Sequence, residues 1–115
     1  MVAFEIRHYV AANGRDLFGD WLDALADRRA SAVVLLRVAR LQRGLFGDCK
    51  PVGAGVWELR IDFGPGYRVY FARAGVNIVL LLCGGDKRRQ DEDIARAKAC
   101  WSSYARGPAK LRGTH

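Results

Sequence analysis

The stretch "WELRIDFGPGYRVYF", residues 57–71, decides the fold. Apolar and polar residues alternate on both sides of Gly64-Pro65-Gly66, the period-two pattern of two half-buried strands joined as a hairpin. A three-residue loop, with Gly66 in a left-handed conformation, places Phe63 opposite Tyr67. Ile61 then faces Val69 and Leu59 faces Phe71, so one side of the hairpin is apolar throughout. On the other side Asp62 lies opposite Arg68, and Arg60 opposite Tyr70. Together with Glu58 they form a compact polar cluster, with paired side chains about 5 Å apart at Cβ. By pattern alone this is a set of cross-strand ion pairs on a solvated face, each contributing less than about 1 kcal/mol. The same residues also suit an anion site. Arg forks onto phosphate oxygens, and Tyr can stack on a base or move a proton.

Working outward, residues 76–83, "VNIVLLLC", form a third strand after a tight turn near Ala74 and Gly75. Its continuous apolar run from Asn77 to Cys83 marks it as central and covered on both faces. Three short neighbouring strands, about 56–63, 67–73 and 76–83, make an antiparallel meander. Upstream, "AFEIRHYV" at 3–10 alternates like a strand and is expected at the edge of the meander. "AANGRD" then turns the chain. From 15 to 28 the spacing becomes helical. Leu17, Trp21, Leu22 and Leu25 form an apolar stripe, and Asp16, Asp20, Asp23 and Asp27 a solvated acidic one. A second helix is expected over 30–45, with Val34, Val38, Leu41 and Leu45 facing the core and Arg37, Arg40 and Arg43 fanned over one side. "GLFGDCKPVGAG" reads as a loop. A last helix is expected over 91–104, with Ile94, Ala97 and Trp101 as its packing stripe and "QDED" complementing its positive N-terminus. Trp57 alternates onto the core side of its strand.

The order is therefore β-α-α-β-β-β-α. It implies an α+β fold in which two N-terminal helices pack on a small, mostly antiparallel four-stranded sheet. Residues 1–105 form one domain, and 106–115 a basic flexible tail.

The chain has 115 residues, 19 Lys+Arg against 12 Asp+Glu, and a formal net charge of +7. That balance favours a polyanionic partner: nucleic acid, an acidic protein or an anionic membrane surface. Cys49, Cys83 and Cys100 are odd in number and widely spaced, which supports neither a disulfide framework nor a zinc site and fits a reduced, cytoplasmic protein. The N-terminus lacks the features of a signal peptide, and the longest apolar run is too short to cross a membrane.

Further cations could converge on the hairpin. Lys50 precedes it. Lys87, Arg88 and Arg89 follow the meander and lead into a helix N-terminus, where backbone N–H groups receive anions, although an ordinary solvated charge run would look the same. "GGDKRRQ" lacks P-loop spacing, and no Gly-x-Ser-x-Gly elbow or metal motif occurs. His8 and His115 lie far from the cluster. Proton transfer there would fall to Glu58, Tyr70, Lys or the substrate itself.

Three blocks, "GDCKPVGAGVWELRI", "GPGYRVY" and "LLLCGGDKRRQDEDIARA", carry a resemblance. In this order they resemble the addiction-module killer proteins of the RelE/HigB type, in the RelE/ParE superfamily of type II toxin–antitoxin systems. The resemblance spans nearly the whole chain except the basic tail, and implies a RelE-like fold. It also implies a cytoplasmic toxin that cleaves ribosome-bound mRNA and arrests growth by blocking translation. The chemistry is attack of a ribose 2′-OH on the adjacent phosphate, with neither metal nor cofactor. Carried onto this chain, Arg68 stabilises the phosphate and Arg60 positions it. Lys87 supplies a basic active-site group, Glu58 is the base, and Tyr70 an acid or stacking group. Lys50, Arg88 and Arg89 would contact RNA. The RelE pattern places several lysines along the strand corresponding to 56–60, whereas Val56, Glu58 and Arg60 stand there in this chain. The implied partners are the ribosome, mRNA and a helix-turn-helix antitoxin that covers the hairpin face or displaces the last helix, with DNA reached only through that antitoxin. A ParE-like gyrase poison without RNase activity shares the fold, and a non-enzymatic nucleic-acid-binding or inactive remnant protein is the third reading.

Overall fold

The computed structural model describes the backbone of residues 3–112, with side-chain surroundings for residues 3–106. The elements are β1 (Glu5–His8), α1 (Leu17–Ala24), α2 (Arg28–Gln42), β2 (Cys49–Gly53), β3 (Val56–Ile61), β4 (Tyr67–Ala74), β5 (Ile78–Asp86) and α3 (Gln90–Arg112). A 3-10 turn over Lys87–Arg89 leads into α3. The strands form one sheet in the order β1-β5-β4-β3-β2. β2 to β5 are an antiparallel meander, and β1 adds to its edge parallel to β5.

The sheet is thus five-stranded rather than four-stranded, because the segment expected as a loop contains β2. Pro51 masked it: a residue without an N–H argues against a strand, but an edge strand has one side with no ladder to fill. A register irregularity between Pro51 and Gly53 closes the strand.

The helix boundaries also move. α1 ends at Ala24, short of residue 28, and Asp27 caps α2 by accepting from the Arg29 N–H. Asp16 caps α1 by accepting from the Gly19 N–H at 2.9 Å. The acidic steps therefore straddle two helices, and two of the four aspartates serve as caps. α2 starts at Arg28 and stops at Gln42, just before Gly44, so Leu45 lies beyond the helix and is exposed rather than in the core. The backbone of α3 continues to Arg112, into the segment expected as a tail, and residues 113–115 lie outside the described residues.

Helices cover both faces of the sheet. On one side Phe18 of α1 and Val34, Val38 and Leu41 of α2 pack on Leu59, Ile61, Val69, Phe71 and Leu81. On the other, Ala97 and Cys100 of α3, with Ile94 and Trp101, pack on Val56, Tyr70, Ala72, Leu80 and Leu82. Fully burying one such Leu, Ile or Phe side chain contributes roughly 1.5–3 kcal/mol. β5 is buried along both faces, as its apolar run demands. The polar side of the hairpin is consequently not an outer surface, because α3 lies against part of it.

The hairpin register is offset by two residues from the expected one. Trp57 pairs with Phe71, Glu58 with Tyr70, Leu59 with Val69, Arg60 with Arg68, and Ile61 with Tyr67. The loop runs over 62–66 and is closed by the Gly66 N–H donating to the Phe63 carbonyl at 2.9 Å. An even offset keeps every side chain on its own face, so alternation could not distinguish the two registers. Asp62, expected opposite Arg68, is an exposed loop residue.

Candidate active site

Glu58 sits where β3 passes beneath the first turn of α3, and it is 0% exposed. Its Oε2 accepts from the Tyr70 hydroxyl across the strand at 3.0 Å and from Nε2 of Gln90, the first residue of α3, at 2.7 Å. Nε of Arg68 lies 3.6 Å from the same oxygen, outside hydrogen-bond range. Arg68 Nε and Glu58 Oε1 are both buried and have no hydrogen-bond partner among the described residues. A donor and an acceptor are therefore left open beside each other in a site otherwise closed to water, where an unmet polar group costs roughly 1–3 kcal/mol.

Tyr70 is also 0% exposed. Burial first, and then the neighbouring Glu58 carboxylate, push its phenol well above the usual tyrosine range. It is held as a protonated hydrogen-bond donor, and its ring presents no face on which a base could stack.

Arg60 stands directly opposite Arg68. Like charges paired across strands repel. Each arginine has one acid nearby: Glu58 beside Arg68, and Asp48 beside Arg60 at 3.1 Å. The Arg60 side chain is 39% exposed, so its ion pair contributes well under about 1 kcal/mol and the guanidinium stays accessible. Lys50 is exposed on β2, next to Glu58 in the register and on the α3-facing side with Val52. Lys87 is exposed at the same end of the sheet, and its aliphatic chain lies over Gly66 of the hairpin loop. Gly66 has φ 86°, and a Cβ there would also meet the Lys87 Cε at 3.0 Å, so both backbone and packing favour glycine.

The remaining expected cations are engaged locally. Arg88 pairs with Asp86 at 3.2 Å, and Arg89 with Glu92 at 2.7 Å. The hydrogen bond from Arg88 is the main reason the Asp86 carboxyl is held below its usual range. A recess of about 690 Å3 lined by Arg37, Arg40, Phe46 and Asp48 adjoins the Arg60 side. Arg37 Nη1 donates to the Arg60 carbonyl at 2.8 Å, which ties α2 to β3 behind the site.

The structure thus gathers Glu58, Tyr70 and Arg68 into a buried cluster, with Arg60, Lys50 and Lys87 as accessible cations around it. Arg88 and Arg89 face local acids. Two participants escaped the sequence reading. Gln90 follows the basic run in "GGDKRRQ", and its distance from Glu58 along the chain hid the contact. Asp48 lay in the segment read as loop.

Fold and cluster define a small α+β domain with a cationic patch at one end of its sheet. Residues 20–101 match the family described as "Phage derived protein Gp49-like (DUF891)", and the chain belongs to that family. It is a toxin-like family related to the RelE/ParE-type toxins, consistent with a toxin–antitoxin system and an antitoxin partner. The chain is also 53% identical over 81 residues to a Haemophilus influenzae protein named "Uncharacterized protein", covering 70% of this chain and 82% of that relative. Among the described residues, no helix is long and apolar enough to cross a membrane, and no cluster of His, Cys, Asp and Glu could hold a metal ion.

Proposed function

We propose that the chain is the toxin of a toxin–antitoxin pair and cleaves ribosome-bound mRNA by attack of a ribose 2′-OH on the adjacent phosphate. The observation that carries this reading is the direct opposition of Arg60 and Arg68 across β3 and β4. Two arginines paired across neighbouring strands are unfavourable in an empty sheet and favourable once a phosphate lies between them. The RelE/HigB resemblance suggests the substrate class, and the toxin-like family is consistent with a toxin role.

In this reading Arg68 and Arg60 hold the non-bridging oxygens and stabilise the charge that builds up on phosphorus. Lys87, on the turn after β5 and lying over Gly66 of the hairpin loop, approaches the leaving oxygen and gives it a proton. Lys50, and more weakly Arg88 and Arg89, contact the RNA backbone. Glu58 orients Arg68 while Gln90 covers it. It can accept the 2′-OH proton only after Gln90 lifts, because its carboxylate is sealed off in the present arrangement. Tyr70 anchors Glu58 and has no access to the leaving group. The reaction then rests on positioning and electrostatics, with proton transfer to Glu58 added when the first turn of α3 opens.

Purified protein added to programmed ribosomes should yield mRNA fragments ending in a cyclic phosphate. Arg60→Ala should lower the cleavage rate by about a hundredfold or more with the fold intact. Arg68→Ala should do the same, and circular dichroism would check its fold because the side chain is largely buried. Intact message at stoichiometric, folded wild-type protein would sink the proposal. Accumulation of cleaved gyrase–DNA complexes instead would favour the ParE-like reading.

A further inference from the structure

The outer face of α2 is apolar where a surface helix should be polar. Its inner face is formed by Ala30, Val34, Val38 and Leu41, all buried. At 100° per residue, Ala32, Leu35, Leu36 and Ala39 project to the opposite side. Ala32 and Ala39 are exposed, Leu35 is 51% exposed and Leu36 is 52% exposed. A helix apolar on both sides is normally buried on both sides.

The spacing specifies what covers it. Ala32, Leu35 and Ala39, and equally Ala32, Leu36 and Ala39, repeat at three and four residues, the seam that receives another helix. The alanines permit close approach, while the leucines supply the knobs. Arg28 and Arg29 border the seam at one end, and Arg40 and Arg43 at the other. Arg29 pairs with Asp27, whereas Arg28, Arg40 and Arg43 make no ion pair among the described residues.

We propose that this face is a docking seam for an acidic amphipathic helix of a separate partner protein, with leucine-type residues against Leu35 and Leu36 and carboxylates against the bordering arginines. Charge complementarity selects this occupant. A second copy would bring arginines against arginines. A membrane surface would fit aromatic residues, which this face lacks. Leu35 and Leu36 lie outside the RNA site, so the proposal stands or falls independently of RNA cleavage. If the toxin reading holds, the antitoxin is the natural bearer of such a helix.

The test uses the full chain and a labelled synthetic helix of about 20 residues. The helix carries leucines at three- and four-residue spacing with glutamates on both flanks. Controls are a lysine-flanked twin and a scrambled peptide of equal composition. By fluorescence anisotropy, the glutamate-flanked helix should bind and both controls should not. Leu36→Lys should weaken binding by about tenfold or more. Simple attraction of an acidic peptide to a basic protein would instead strengthen with the added lysine, and that result overturns the proposal. So does the absence of binding, or equal binding of the scrambled peptide. A sedimenting dimer, or partition onto phosphatidylserine vesicles, that is abolished by Leu36→Lys would overturn it in favour of a second copy or a membrane. Cleavage by Leu36→Lys on programmed ribosomes should match that of wild type.

Discussion

Asp93 is a carboxylate in the first turns of α3 that is pressed against the Gly85 backbone and buried, with Arg96 Nη1 at 3.2 Å from its Oδ1. Burial raises its pKa more than Arg96 and Arg89 lower it. The folded protein therefore holds this proton more tightly than the unfolded chain does. Stability gained from Asp93 is greatest at acid pH and falls as pH rises from the ordinary carboxylate range towards neutrality. Asp93→Asn removes that dependence. In urea unfolding, the stability of the variant relative to wild type should improve as pH is raised from about 4 to 7. A constant difference over that range would show that Asp93 does not titrate abnormally. Legibility at the scale of single residues was uneven. The faces of Glu58, Arg60, Arg68 and Tyr70 were readable, since alternation assigns faces. Their partners were not, because an offset of two in the Gly-Pro-Gly loop leaves the alternation unchanged. Gln90 was invisible for a different reason: a contact to Glu58, 32 positions away, has no local signature.

Element boundaries depend on neighbours that the local pattern does not contain. β5 was legible as a central strand from its apolar run. The two glycines at its end, Gly84 and Gly85, read only as a terminator. In the fold each is a seat. A Cβ on Gly84 would overlap the Trp21 ring of α1, and one on Gly85 the Asp93 carboxylate of α3. Both helical layers close on the sheet at this point, just ahead of the Lys87–Arg89 turn and the site. Gly84→Ala should force the indole outward and destabilise the protein by about 1–3 kcal/mol. Thermal unfolding and tryptophan emission should both report it. An unchanged midpoint with unchanged emission would mean that the ring does not seat there. β2 was missed because its Gly and Pro content reads as a loop, although an edge strand tolerates both.

For the molecule as a whole, α3 settles what the basic patch can be. It packs on the sheet over Val56, Leu80 and Leu82, so a partner that displaced it would expose them to water. Binding beside the helix avoids that cost. The net charge of +7 is then expressed mainly through cations that no burial constrains. Lys50, Arg60 and Lys87 flank the cluster at one end of the sheet, whereas Arg7 lies on β1 at the other edge and is tied to Glu5 at 2.6 Å. Single-stranded RNA that binds through phosphates releases counterions, so log K should fall linearly with log salt. Lys50→Ala, Arg60→Ala and Lys87→Ala should each weaken binding of a ribosome-free oligoribonucleotide. Each should also flatten the salt slope by about 0.7, with stability nearly unchanged because the side chains are exposed. Arg7→Ala should alter neither. Equal losses at Arg7 and Arg60 would show that the protein attracts RNA by its overall charge alone. A loss confined to the three flanking cations locates the RNA at the end of the sheet where Arg60 and Arg68 face each other.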